Sequence, residues 1–374
     1  MAIANMFVTI AVYMQIPVLP EWMDISLGLP SGQIAVVMGL HGIGIFMLGC
    51  MCSWLVQHYR RNKVCLLSVA FIMLCIAAIY YACHHKRSLE EMFIVLSVIR
   101  FIQGAVFGLA QMVLSSTLII DTCESFQRTE ANHSAAWFSR FALSLGPALG
   151  LLLYPCYGFD LVLLSSLILC AVSILFISMV KFPFKAPEDT ICKMSLDRFF
   201  LPQGKWLFIN LALITTVVGI ILSSRPSIVF YAMVMCGFFL ALLAQRFLFA
   251  NAELKSEITT GLILILLSLL IMFSGRHEAT VYMAPVLLGC GIGIIGARFL
   301  LFFIKLSHHC QRGTSQSTYF LAWEFGLSAG LFIGYFFLYG KPFAQIITSF
   351  ILTAIALVMY IAFTHTWYMR NKNR

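Results

Sequence analysis

Charge is scarce in this sequence. Asp, Glu, Lys and Arg make up only 10% of its 374 residues, less than half the roughly 25% of an ordinary soluble domain. With 61% of the chain hydrophobic, that scarcity excludes a soluble globular protein. Acids are scarcer still, 15 against 24 Lys and Arg, for a formal charge of +9. In a polytopic chain such an excess marks cytoplasmic loops rather than a nucleic-acid partner. No Lys or Arg precedes Arg60, so the first apolar run lacks the basic leader of a cleavable signal peptide. It also lacks a small-residue cleavage site before Pro17 and Pro20, and is expected to be a mature span. Because it begins almost at Met1, further residues are expected upstream in the natural chain. Of the 12 cysteines, ten lie in or near apolar runs or in inner segments, where Cys behaves as a small hydrophobe. Only Cys83 and Cys156 are expected to share the outer side, and no disulfide framework is implied.

What the sequence has in abundance is long apolar runs, at residues 2–20, 32–57, 63–83, 91–120, 134–155, 159–180, 206–223, 226–247, 257–274, 279–304, 317–339 and 342–364. A spanning helix needs about 20 mostly apolar residues, and runs of this length without period-2 alternation are helices. The expectation is an all-α membrane protein with twelve transmembrane helices. Even parity puts both termini on one side. If that side is the cytoplasm, sixteen Lys and Arg fall on inner segments and five on outer ones, namely Lys86, Arg87, Arg225, Arg276 and Lys341, while Arg100, Arg140 and Arg298 fall inside spans. This positive-inside bias predicts cytoplasmic termini. Residues 181–205, the longest hydrophilic stretch, hold three prolines with Lys, Asp and Glu and read as a linker. The expected division is 1–180, linker 181–205, and 206–374.

The two halves repeat one another. Gln127, Arg128, Phe141, Leu143, Ser144, Gly146 and Gly150 recur 184 positions later as Gln311, Arg312, Phe325, Leu327, Ser328, Gly330 and Gly334. At a shift of 188, Gly49, Leu55 and Gln57 recur as Gly237, Leu243 and Gln245, and at 185 Gly104 and Gly108 recur as Gly289 and Gly293. Collinear matches with small drifts are the mark of a duplicated unit. Parallel repeats related by an axis along the membrane normal are a transporter design, with a midplane site exposed alternately to either side.

At these residues the chain resembles the major facilitator superfamily along essentially its whole length. The loop between spans 2 and 3 keeps the family's basic cluster at Arg60, Arg61 and Lys63, but carries Ser53, Gln57 and Arg60 where the family has Gly, Asp and Gly. The resemblance implies that position 57 belongs to a cytoplasmic gating network, with Gln57 still able to donate and accept hydrogen bonds. Arg100, Gln103 and Gly104 look like the family's Arg-x-x-Gln-Gly element, associated with proton coupling. Gly146, Pro147 and Gly150 look like the Gly-Pro element of proton-driven exporters, with Ala142 and Leu151 departing from it. The resemblance implies two pseudo-symmetric six-helix bundles. It also implies a cavity lined by spans 1, 4, 7 and 10, with Asn5, Tyr13, Gln15, Gln103, Gln111, Asn210 and Tyr282 as candidate substrate contacts.

Two charges within spans carry the mechanistic expectation. Glu324 is the one acid of fifteen clearly inside an apolar run. Low dielectric disfavours an ionised carboxyl, which makes Glu324 the candidate proton carrier; the alternative is a structural carboxylate fixed by an arginine. Arg100, about 10 Å into its helix at 1.5 Å per residue, must face protein or a watery cavity. A cavity role is expected, with snorkelling or a structural ion pair as alternatives. The 184-residue shift pairs Glu324 with Arg140, so a coupling role extends to Arg140, while the resemblance implies gating roles for Gln57, Arg60 and Arg61. Arg298 is expected to snorkel or to pair with Glu324, and His41 to be a hydrogen-bonded packing residue. The His84-His85 and His308-His309 pairs have no third ligand nearby, so no metal and no cofactor is implied. The function expected is a secondary transporter working by alternating access, with proton-coupled efflux of a small solute. The alternatives are a proton-coupled importer of a sugar or metabolite and, remotely, a multispan enzyme. Its partners are a small-molecule substrate, protons and the lipid bilayer, for a monomer in a bacterial inner membrane.

Overall fold

The computed structural model describes residues 1–85, 87–114, 128–180, 192–249, 252–275, 278–308 and 311–372, apart from the side chains of 128–132 and 279. Lys86, Gln127, Lys181, Lys185, Arg276, His309 and Arg374, the side chain of Arg128, residues 115–120 of the fourth expected span and 181–191 of the expected linker lie outside them.

The described residues are helical and contain no strand. The helices are α1 (Ala2–Tyr13), α2 (Gln15–Ile25), α3 (Ser31–Met47), α4 (Cys52–His58), α5 (Arg61–His84), α6 (Leu89–Val113), α7 (Arg128–Ser178), α8 (Lys205–Ser223), α9 (Ile228–Leu243), α10 (Leu254–Phe273), α11 (Glu278–Leu306), α12 (Arg312–Phe336), α13 (Pro342–Met359) and α14 (His365–Asn371). Joined where they run on, they give 11 helices among the described residues that are long and apolar enough to cross a membrane. Each expected run falls on one of them, and the fifth and sixth share α7. That helix is interrupted at Gly158, whose φ of 75° and ψ of −176° are not helical.

The first span is also jointed. Pro17 has no N–H to offer the carbonyl of Tyr13, and the helix breaks next to it, at Met14.

Helix pairs meet at glycines. A Cβ on Gly44 would lie 2.2 Å from the Phe101 carbonyl oxygen, and one on Gly104 would lie 2.1 Å from that of His41, so α3 and α6 touch backbone to backbone. The second half repeats the contact, with Gly237 against Val286 and Gly289 against Val234 joining α9 to α11. The true partner of Gly237 is thus Gly44, not the Gly49 of the sequence alignment, whose own Cβ position is taken by the Phe199 ring. Likewise Gly146 and Gly150 bring α7 against α1 at Ile10, Tyr13 and Met14, while Gly330 and Gly334 bring α12 against α8 at Thr216 and Ser223. Such contacts are the means by which helices associate in lipid, where burial of apolar area between them gains little.

Two further residue pairs of the repeat face the other half of the chain. Ser144 Oγ donates to the Tyr231 carbonyl of α9, and Ser328 lies where a side chain on Gly42 of α3 would be. Phe141 packs on Phe239 at 5.1 Å between centroids, and Phe325 packs on Phe46 at 5.8 Å.

A methyl group at Gly330 would sit 2.2 Å from the Thr216 oxygen, so Gly330→Ala should lower stability by about 1–3 kcal/mol through overpacking. At Gly32 the nearest atom would be 3.7 Å away, and Gly32→Ala should stay within about 0.5 kcal/mol of the parent. Thermal unfolding in detergent compares the two, and equal midpoints would mean that the Gly330 contact is not tight.

Candidate functional site

Helical spacing gathers the site. On α12, Gln316, Tyr319, Phe320, Trp323 and Glu324 follow the i, i+3, i+4, i+7, i+8 pattern of one helix face, and all five line a cavity with about 50 Å³ of room. Facing them are Asn5, Thr9 and Tyr13, spaced by four along α1, and Ser139 and Arg140 with Ala135 and Ala136 on α7. Gln111 of α6 and Leu300 of α11 complete the wall. Gly296 of α11 makes room for Arg140, because a Cβ there would lie 2.8 Å from Nε.

Polar groups divide into two sets. On one side Gln111 Nε2 donates to Thr9 Oγ1 at 3.0 Å, Thr9 donates to the Asn5 carbonyl at 2.8 Å, and Asn5 Nδ2 donates to Ser139 Oγ at 2.9 Å. On the other, the Tyr13 hydroxyl donates to Glu324 Oε1, which ties α1 to α12 across the cavity. Arg140 is 2% exposed. Its Nη2 donates to the Tyr319 hydroxyl at 3.2 Å, and its guanidinium lies 4.7 Å over the Trp137 ring. Its Nε and Nη1 are buried without an acceptor, as are Asn5 Oδ1 and Gln316 Oε1. A cation–π contact contributes about 0.5–2 kcal/mol, whereas burial of an unpaired ion costs several. Arg140 is therefore under-compensated as it stands.

The sequence candidates are distributed as follows. Tyr13, Gln111, Arg140 and Glu324 meet at the cavity, together with Asn5. Arg140 and Glu324 form no ion pair among the described residues. Arg100 is buried away from the cavity wall, where Nη1 donates to Gln103 Oε1 at 2.7 Å and Gln15 Oε1 at 3.3 Å. The three residues clamp α6 to α2, so Gln15 and Gln103 are committed to Arg100 and none of the three faces the cavity. Asn210 donates to the Ala356 carbonyl of α13 at 3.1 Å, and Tyr282 is 51% exposed on the surface. Thus α8, the seventh expected span, contributes nothing to the wall, while α7 and α12 supply most of it. Arg298 neither snorkels nor meets Glu324: it pairs with Glu257 of α10. His41 is buried beside Phe107, ring centroids 5.7 Å apart, with neither ring nitrogen hydrogen-bonded. Thr9, Ser139, Gln316, Tyr319, Phe320 and Trp323 were not singled out by sequence. The α12 members could have been found from Glu324 by stepping back along its face. No cluster of three or more His, Cys, Asp or Glu suited to a metal occurs among the described residues.

Two polar junctions tie the halves together at opposite ends of the spans. At the first, Asp24 of α2 accepts from Arg225 Nη2 at 2.9 Å and from the Tyr339 hydroxyl at 2.7 Å, and Arg225 Cζ lies 5.5 Å from the Tyr339 ring centre. Burial and the bond to Asp24 hold the Tyr339 hydroxyl above its ordinary pKa, so it remains a donor throughout neutral pH. At the second, Asp197 accepts from Ser53 Oγ of α4 at 3.0 Å and from Thr314 Oγ1 of α12 at 3.2 Å. Thr314 in turn accepts from the Arg198 N–H at 2.8 Å, where the backbone is left-handed, φ 57°. Gln57, expected in the gating network, only supports this junction by donating to Ser53 Oγ at 3.2 Å. Position 57 holds no acid, and the acid at this junction is Asp197. Arg60 is exposed and Arg61 half-buried. Partly exposed pairs of this kind contribute only about 0.2–1 kcal/mol, weak enough to break in a working cycle.

Gly146, Pro147 and Gly150 lie on α7 where it presses on α1 and α2, and so position Tyr13. Asp24→Asn removes one charge without changing shape. It should raise amide hydrogen exchange several-fold in residues 222–230, leaving 312–318 unchanged, and Asp197→Asn should do the reverse. If exchange stays unchanged in both variants, the junctions do not hold the ends closed.

A family model described as Major Facilitator Superfamily matches residues 1–331. No curated protein sequence matches the chain. Among solved structures, the human organic anion transporter MFSD10 (TETRAN) superposes with a TM-score of 0.70 at 15% identity, covering 96% of this chain and 97% of that one. A bacterial homologue of the iron transporter ferroportin, in its outward-facing state, gives 0.69 at 16% identity over 97% and 98%. A variant of the nucleoside transporter NupG gives 0.66 at 14% over 97% and 98%.

Proposed function

The chain belongs to the Major Facilitator Superfamily, a family of membrane transporters and not of enzymes, and from that premise we propose that it moves a small solute by alternating access, coupled to protons and directed outward. The observation that carries this reading is the cavity itself. Its one acid, Glu324, is 2% exposed, is hydrogen-bonded across the two halves by Tyr13, and lies between two polar junctions that close opposite ends. A carboxyl whose surroundings change from sealed to hydrated as the halves rock can take up and release a proton, and Tyr13 links its state to the contact between α1 and α12.

The proposed topology is twelve crossings in two six-helix bundles, 1–180 and 206–374, with 181–205 between them and both termini in the cytoplasm. Support comes from the break at Gly158 in the apolar helix His133–Ser178, whose 46 residues would reach about 69 Å at 1.5 Å per residue, twice the roughly 30 Å hydrocarbon core. The positive-inside bias makes the Asp197 end cytoplasmic. The chain is proposed to act as a monomer in a bacterial inner membrane.

Outward transport rests on the Gly-Pro element at Gly146, Pro147 and Gly150. Its departures at Ala142 and Leu151 leave a proton-coupled importer as the second reading. Glu324→Gln keeps shape and hydrogen bonding but cannot carry a proton. In proteoliposomes loaded with a pH-sensitive dye and offered a panel of solutes, it should abolish solute-linked proton flux while solute exchange persists. Unchanged proton flux would remove Glu324 from the mechanism.

A further inference from the structure

Arg140 is the point at which the cavity's chemistry is incomplete. Its guanidinium is 2% exposed, one nitrogen is engaged by Tyr319, and Nε and Nη1 have no acceptor. The cavity's carboxylate, Glu324, is turned to Tyr13 and does not pair with it. Nε or Nη1, together with the second N–H of Nη2, makes a planar fork that matches the two oxygens of a carboxylate. Around it, Phe320, Trp323 and Leu300 supply apolar surface, and Asn5 Oδ1 and Gln316 Oε1 are buried acceptors lacking a donor. As it stands the cavity has only about 50 Å³ of room, enough for a few waters, so a solute reaches Arg140 only when the cavity opens.

We propose, resting on the transport reading above, that the solute is an amphipathic organic monocarboxylate, its carboxylate held by Arg140, its aromatic or apolar body along Phe320 and Trp323, and an N–H or O–H of its own donated to Asn5 or Gln316. Charge count selects this class. Arg140 is the one Lys or Arg among the described cavity-lining residues, so a monoanion leaves no net charge with it whereas a phosphate dianion leaves one uncompensated. A cationic solute would meet Arg140 with no counter-charge beyond Glu324. A neutral solute would leave the guanidinium as it is. An anchor of this kind serves either direction of transport.

Hippurate carries all three features and is a suitable probe, beside its neutral amide hippuramide and the dianion phenyl phosphate. With the purified full chain in detergent, hippurate should raise the thermal midpoint and quench tryptophan fluorescence saturably, with at least tenfold weaker effects from hippuramide and phenyl phosphate. Arg140→Gln should weaken hippurate at least tenfold, and Arg140→Lys, which keeps charge but loses the fork, should fall between. Equal responses to hippurate and hippuramide in the parent protein would overturn the proposal whether or not the variants fold, as would undiminished hippurate binding by a folded Arg140→Gln. Flux in proteoliposomes separates the two readings. Hippurate that binds through Arg140 but never crosses would sink the transport reading and leave the anion site standing, whereas proton-linked flux of hippuramide and not hippurate would do the opposite.

Discussion

Backbone-to-backbone contact between helices is the constraint on which this molecule rests. In lipid, helices gain little by hiding apolar side chains from one another, so association depends on how closely they approach. The glycine contacts between α3 and α6, α9 and α11, α1 and α7, and α12 and α8 bring prospective Cβ positions to 1.9–2.9 Å of a facing helix. Nothing larger than hydrogen fits there. These four pairs are two arrangements used twice, and they hold each pair as one body while the weaker Ser and Phe contacts at Ser144, Phe141, Ser328 and Phe325 lie between the halves.

That division of strength suits a carrier. Within a half, steric fit at glycine resists rearrangement. Between halves, the ties are hydrogen bonds, ring contacts and partly exposed charges, each of the last worth about 1 kcal/mol or less, together with the packing of α3 on α12, where Ser328 fills the space beside Gly42. The Asp24–Arg225–Tyr339 junction and the Asp197–Ser53–Thr314 junction lie at opposite ends, and the Tyr13–Glu324 bond lies in the cavity. Breaking one junction costs little compared with separating a glycine-packed pair.

The repeat shows how far sequence reading carries and where it slips. At a shift of 184 the alignment paired Ser144 with Ser328 and Gly146 with Gly330, and these residues do occupy corresponding contacts. At 188 it paired Gly237 with Gly49, although the corresponding residue is Gly44. The reason is that glycine identity recurs by chance in membrane helices, while the contact depends on which glycine faces the neighbouring backbone. Arg100 illustrates the same limit. Its burial followed from its place in an apolar run, but its direction did not, and Gln15 and Gln103 turned it inward to α2. Glu324 and Arg140 were legible as related charges, yet their sharing one cavity without pairing depends on Tyr13 and Tyr319 reaching them first.

Composition and the length of its apolar runs determined that this chain is a helical membrane protein, because a bilayer leaves unpaired backbone groups no other partner. The duplicated pattern determined which helices correspond. Only the tertiary structure decided that α7 and α12, rather than α8, build most of the cavity wall, that Asp197 meets Ser53 beside Gln57 from some 140 residues away, and that Arg140 keeps free donors. Those outcomes depend on helix rotation and on contacts between distant segments, and hydropathy is averaged over a run and carries no record of either.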